Sequence, residues 1–191
     1  MRLLALIGCL LLGPIWAQEL PNFPPISVQA TERDGHVLLS AQFSAPVSQA
    51  QAFSVLTDFD HMAEFMPNMS SSKVISRVAQ RLMVRQQGAL SLGLFTLALD
   101  SEREIEVHQM DEIIARSLNA SQGPFSSKML LQGQEKETLM SYQADWQPKS
   151  AFLAGLGKSY LQEQVVQQFT AMQKEMIRRS KIRLASAPQG M

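Results

Sequence analysis

The sequence predicts an α+β fold in which a curved antiparallel β-sheet wraps around one long C-terminal helix. Three observations carry this expectation. Between residues 70 and 147 apolar side chains recur with the two-residue period of strands, broken by short polar turns and by no helical stretch. Farther on, Leu153, Leu156, Tyr160, Leu161, Val165, Phe169, Met172 and Met176 recur at the three- and four-residue steps of an amphipathic helix. A sheet of that many strands with one apolar face needs cover, and this helix is long enough to give it.

The 191 residues suit one domain able to bury a substantial core. Acidic and basic residues balance at 17 each, without long blocks of either sign. This argues against nucleic acid as a partner, which would leave a basic stripe, and gives no polybasic handle for an anionic membrane. Met is plentiful, at 11 residues. Methionine adapts to irregular shapes, so it serves either as core filler or as the wall of a deformable cavity.

Residues 1–17 read as a signal peptide. Arg2 supplies the positive end, residues 3–12 the apolar run, Gly13-Pro14 a break, and Ala17 a small residue before a cleavage point at Gln18. The run is shorter than the roughly 20 residues of a membrane span. Leu6-Ile7-Gly8-Cys9 matches a lipobox, but the apolar run continues past Cys9, unlike a lipidation site. The expected location is therefore the periplasm. Cys9 is the one cysteine, so a cleaved chain has no disulfide, no thiol nucleophile and no cysteine-bound metal.

Residues 18–25 form a proline-containing linker, residues 26–180 the domain, and residues 181–191 a flexible tail. Residues 26–31 alternate, Asp34-Gly35 signals a hairpin, and the return strand sets Val37, Leu39, Ala41 and Phe43 on one face. Ser48 can N-cap a short helix carrying Ala52, Phe53, Val55, Leu56 and Phe59, and Asp60 a second carrying Met62, Phe65 and Met66, ended by Pro67. Strands follow over 73–78, 82–89, 92–107, 112–118, 127–132 and 138–146, and the long helix ends near Arg179 after a start softened by Gly155 and Gly157.

The residues Ala45-Pro46, Phe53-Ser54-Val55-Leu56-Thr57-Asp58-Phe59, Glu64-Phe65-Met66-Pro67 and Ser71-Ser72-Lys73-Val74-Ile75 carry a resemblance. The stretch is similar to the opening signature of START-like proteins, the polyketide cyclase/dehydrase and lipid transport (SRPBCC) superfamily, and resembles most its coenzyme Q-binding-like branch with exported bacterial members. The resemblance spans nearly the whole chain after residue 17 and implies a helix-grip fold. It also implies a ligand such as a lipid, sterol, quinone or polyketide, since only some members of the superfamily are enzymes. Many relatives carry Trp in the penultimate strand, where this chain has Met129.

No motif supplies a catalytic residue, a metal site or a cofactor site. The histidines His36, His61 and His108 are scattered, and Asp58, Asp60, His61 and Glu64 read as caps and helix-dipole charges. Arg103 is the most informative polar residue. Strict alternation puts it with Leu97, Leu99, Ile105 and Val107, while Asp100, Glu102, Glu104 and Glu106 point away. A guanidinium on an apolar face needs a partner. Either a bulge turns it outward, or an internal carboxylate or carbonyl satisfies it, or it anchors the polar head of a ligand. Tyr142 and Trp146, with Met140 on the same face, are candidates for a pocket wall or for core packing, and Arg85 and Gln87 for its sheet side. With Leu97 on the sheet and Val165 and Phe169 on the helix, these residues define the expected ligand site. The expected function is a monomeric carrier of a small hydrophobic ligand. A cyclase- or dehydratase-like enzyme using Arg103, Tyr142 or a histidine, and a scaffold with a filled core, are the alternatives.

Overall fold

The computed structural model describes residues 26–92, 95–120, 123–149 and 158–186. The expected signal peptide and linker, the Gly155–Gly157 hinge and the first stripe residues Leu153 and Leu156 lie outside the described residues.

β1 (Ser27–Arg33) and β2 (His36–Ala45) form the expected hairpin. Asp34 and Gly35 turn it with φ of 52° and 78°, a region that Asp tolerates and Gly enters without a Cβ penalty. α1 (Gln49–Leu56) starts in a capping box between Ser48 and Gln51. A 3₁₀ turn (Phe59–Glu64) follows, then β3 (Met69–Val78), β4 (Arg81–Leu92), β5 (Phe95–His108), β6 (Glu112–Ala120), β7 (Phe125–Gly133), β8 (Thr138–Trp146) and α2 (Lys158–Ser186). The order is the expected one, a strand pair, two short helical segments, six strands and a long helix. The eight strands form one curved, unclosed antiparallel sheet in the order β1-β2-β8-β7-β6-β5-β4-β3. The last six strands run as a meander, and β8 returns to pair with β2 along its whole length.

Three local expectations need correction. β3 begins at Met69 because Ser72, which hides the apolar alternation, turns inward and accepts a hydrogen bond from Gln86 Nε2 at 3.3 Å. Asp60 caps no helix; its carboxylate accepts the Val74 backbone N–H at 2.9 Å and ties the 3₁₀ turn to β3. α2 continues to Ser186, so residues 181–186 are helical and not tail, in keeping with a run of Lys, Ile, Arg, Leu and Ala that contains no breaker.

The core lies between the inner sheet face and the helices, with Met140, Met176, Val55 and Val84 fully buried. α2 packs against β1, β2 and α1 and stands off from β4 to β7. Phe169 of α2 stacks on Phe43 at 4.6 Å and meets Tyr142 edge-on at 5.0 Å. Gln162 Nε2 donates to the Val28 carbonyl at 3.0 Å, and buried Gln173 Nε2 to the Ser44 carbonyl at 2.6 Å, fastening the same flank.

An ionic latch closes the other end of the helix. Arg179 bridges Asp58 and Glu175 at 2.7 Å each, Arg178 grips Glu175 through two nitrogens, and His61 Nδ1 lies 2.6 Å from Asp58. Partial burial pushes the Asp58 carboxyl up, but the His61 and Arg179 hydrogen bonds outweigh it and hold the group below the usual carboxylate range. The Asp58 hydrogen bond raises His61. Because the folded pKa of His61 is raised, its contribution is complete below the unfolded value of about 6.5 and is lost as pH rises through the folded value. For Asp58 the sign reverses: its contribution exists above about 4 and is lost as pH falls through the depressed folded value. Thermal unfolding of the wild type and His61→Gln should therefore differ at pH 6 and converge by pH 9, whereas Asp58→Asn should unfold at a lower temperature at both; equal curves for all three proteins would remove the latch.

Candidate functional site

The offset of α2 leaves a cavity of about 240 Å³ between the helix and strands β4 to β8. This is slightly below the ~300–1,000 Å³ of most ligand pockets. Its walls are Leu99 and Ile105 of β5, Ile113 and Ala115 of β6, Met129 of β7, and Phe169 and Met172 of α2, with Leu56, Phe59, Met62 and the segment 66–69 at one side. A second concavity, about 650 Å³, crosses the opposite face of the sheet over β1, β2, β8, β7 and β6. That groove is polar and its charged groups are satisfied: Arg116 pairs with Glu106, Lys128 with Glu112, and His36 with Asp145. The smaller cavity, enclosed between helix and sheet, is the candidate site.

Arg103 points into it. The register of β5 against β6 does shift at this point, from Glu102↔Asn119 to Arg103↔Ser117, but the extra residue is Leu118 of β6, which is exposed. The bulge is in the partner strand, so β5 keeps its alternation and Arg103 stays inside. On the outer face Asp100 pairs with Arg85 at 2.7 Å, and Glu106 with Arg116 at 3.1 Å. The reachable part of Arg103 lines the cavity, whereas its Nε is buried without a hydrogen-bond partner. Its guanidinium lies 5.1 Å from the Phe125 ring centre. Burial lowers its pKa, opposed by Tyr142, and no carboxylate contributes. Leaving a buried donor unpaired costs about 1–3 kcal/mol, and more for a charged group.

Tyr142 also lines the cavity, as Ser127 does, and is held by the edge of Phe169. Burial pushes its phenol up, against the opposing effects of Arg103 and Ser127. Phe169 is the third expected site residue that the structure brings to this cavity. Met140 is not brought to it: facing Phe43 across β2 and β8, it is sealed in the core. Trp146 packs in a separate cluster with Val37, Leu39 and Ala144, because the twist of β8 carries its far end past the cavity. Val165 packs between the two clusters and is not a wall residue. The backbone of Leu97 belongs to β5, but its side chain lies outside the described residues. Arg85 and Gln87 extend their side chains to Asp100 and Gln86 takes the inner position; Gln87 also borders the cavity, whereas Arg85 does not.

Sequence reading missed Asn68, Gln86, Ser101, Ser127 and Gln168, which with Gln87 give the cavity its remaining polar residues. The same period-two parity that singled out Arg103 includes Ser101, so that signal was available. Ser127 required the β7–β8 register, which places it opposite Ala144 and next to the Met129↔Tyr142 pair. None of the three histidines lines the cavity; His36, His61 and His108 face Asp145, Asp58 and Glu106.

Residues 45–172 match the family described as polyketide cyclase / dehydrase and lipid transport. The chain belongs to this family. Solved structures share its helix-grip fold at low identity. An aromatase/cyclase from Streptomyces sp. R1128 superposes with a TM-score of 0.67 at 13% identity, covering 82% of this chain and 99% of its own. A START superfamily protein from Mycobacterium smegmatis gives 0.64 at 11%, covering 74% and 97%. A STAR-related lipid transfer protein from Xanthomonas axonopodis gives 0.64 at 12%, covering 79% and 93%. No curated protein matches the sequence. At such identities the likeness is one of fold, the START-like fold expected from residues 53–75.

Gly88 holds one wall of this family member's cavity. A Cβ there would lie 2.0 Å from the Asn68 carbonyl oxygen, which accepts the Ala89 N–H at 2.9 Å. Asn68, at a φ of 62°, also donates to Gln164 of α2 at 3.0 Å. Backbone cannot yield as a flexible side chain can, so Gly88→Ala should destabilise by about 1–3 kcal/mol. Urea unfolding would measure it, and an unchanged midpoint would refute the tight approach.

Proposed function

We propose that this protein is an exported binding or carrier protein for one small hydrophobic ligand, held in the cavity between α2 and the inner face of the sheet. The observation that carries this reading is the cavity itself, apolar over most of its wall yet bearing a few convergent polar groups, Arg103, Tyr142, Ser127 and Ser101 among them. Such a lining suits a lipophilic ring compound with one polar end. The space argues against a filled scaffold, since it exceeds by several-fold the ~30 Å³ of a water molecule.

A carrier is favoured over a cyclase by the chemistry of the lining. Among the described residues, the ionisable groups in the cavity are Arg103 and Tyr142. Among the described residues, no histidine or carboxylate lines it to take a proton from a carbon acid near neutral pH. The signal-peptide pattern of residues 1–17 supports export to the periplasm.

Full-length protein expressed in a bacterial host should be recovered from the periplasm with a mass beginning at Gln18. Native mass spectrometry should show a lipophilic compound that organic extraction removes. Met129, opposite Tyr142 in the sheet and part of the cavity wall, is the position for a filling variant. Met129→Trp should fold, with a change in unfolding temperature of a few degrees, and should lose the compound. A wild type that is always empty, or a filled variant that retains the compound, would overturn the carrier reading.

A further inference from the structure

The cavity has an uncompensated charge. Arg103 is the one cation among the described residues that line it, and no carboxylate lines it. The undescribed internal stretches 93–94, 121–122 and 150–157 contain no Asp or Glu. The acids of β5 cannot serve, since Asp100, Glu102, Glu104 and Glu106 alternate with Arg103 onto the outer face, where Asp100 and Glu102 meet Arg85, and Glu106 meets Arg81 and Arg116. Tyr142 does not supply the missing charge either, because burial raises its phenol. The face of the guanidinium has Phe125, but its Nε–H has no acceptor. A structural arginine in this place would have a carbonyl or carboxylate on that nitrogen.

We infer that the ligand brings the counter-charge: a compact ring compound bearing one oxyanion, a carboxylate, phenolate or enolate, whose oxygen accepts from Arg103 and whose rings lie against Phe169, Met129 and Met172. This rests on the reading of the cavity as a ligand site and narrows its ligand class. Tyr142 lines the same cavity and brings a hydroxyl as a further polar group for the ligand's polar end. Size points the same way. A volume near 240 Å³ is small for a ligand pocket and suits a compact ring system better than a large lipid. Low polarity around a fixed cation strengthens the pairing beyond its value in water.

Two probes with the same rings, 1-naphthoate and 1-methylnaphthalene, separate charge from apolar fit. Calorimetric titration of extracted wild-type protein should show naphthoate binding at least tenfold more tightly. Arg103→Leu should abolish that preference, leave methylnaphthalene binding in place, and unfold at the same or a higher temperature without ligand, because it removes an unpaired buried charge. Equal affinity of the wild type for both probes would overturn the anion proposal while leaving the cavity a ligand site. So would a preference that survives Arg103→Leu, or a ligand-free variant that unfolds more readily, since this would give Arg103 a structural partner. Binding of neither probe also overturns it, and the carrier reading is then decided separately by co-purification.

Discussion

Phe169 decides where the long helix lies, and most of the molecule's architecture depends on that position. Its ring is stacked on Phe43 at 4.6 Å and set against the edge of Tyr142 at 5.0 Å, so α2 is pinned above β2 and β8. The other restraints act on the same flank. Gln162 and Gln173 donate to carbonyls of β1 and β2, and Arg179 holds the C-terminal half to Asp58 beside the 3₁₀ turn. A sheet of eight strands is wider than one helix, roughly 10 Å across, can cover. Held to one side, α2 does not reach the inner face of β4 to β7; α1 and the 3₁₀ turn cover part of it, and the cavity is the strip left between them and α2.

The two faces of the sheet handle charge differently. On the outer face, acids of β5 meet arginines of β4 and β6 across the strands, in water, where each pair contributes little and costs little. On the inner face one guanidinium stands among Phe, Met, Ile and Ser side chains, where an ion is expensive and a partner is correspondingly valuable. The bulge at Leu118 could have relieved that cost by turning Arg103 outward; because it falls in β6, it does not. The polar groups of Tyr142 and Ser127 stand on the same cavity wall, which suits a site for a polar ligand atom better than it suits a core.

Much of this was legible from residue order. The hairpin at Asp34-Gly35, the cap at Ser48, the six-strand meander and the stripe through Phe169 and Met176 each express a local period or a turn preference, and the structure contains them all. The inward direction of Arg103 was legible for the same reason, since alternation within one strand needs no knowledge of neighbours. Where polar residues turn inward, as Ser72 and Gln86 do, that alternation is masked and the strand start was misplaced. Asp60 reads locally as a cap, whereas its acceptor role toward the Val74 N–H joins residues of two different elements.

The sequence by itself therefore determined the class of fold, the family signature around residues 53–75, and which face of each strand is apolar, because these follow from local periodicity and turn chemistry. Tertiary structure alone decided which inward-facing residues share a space. Met140, Tyr142 and Trp146 follow one another on the same face of β8, yet the first is sealed under α2, the second opens on the cavity and the third joins another cluster. That difference arises from the twist of the strand beneath a helix fixed at one flank, a relation between distant segments that no local pattern encodes.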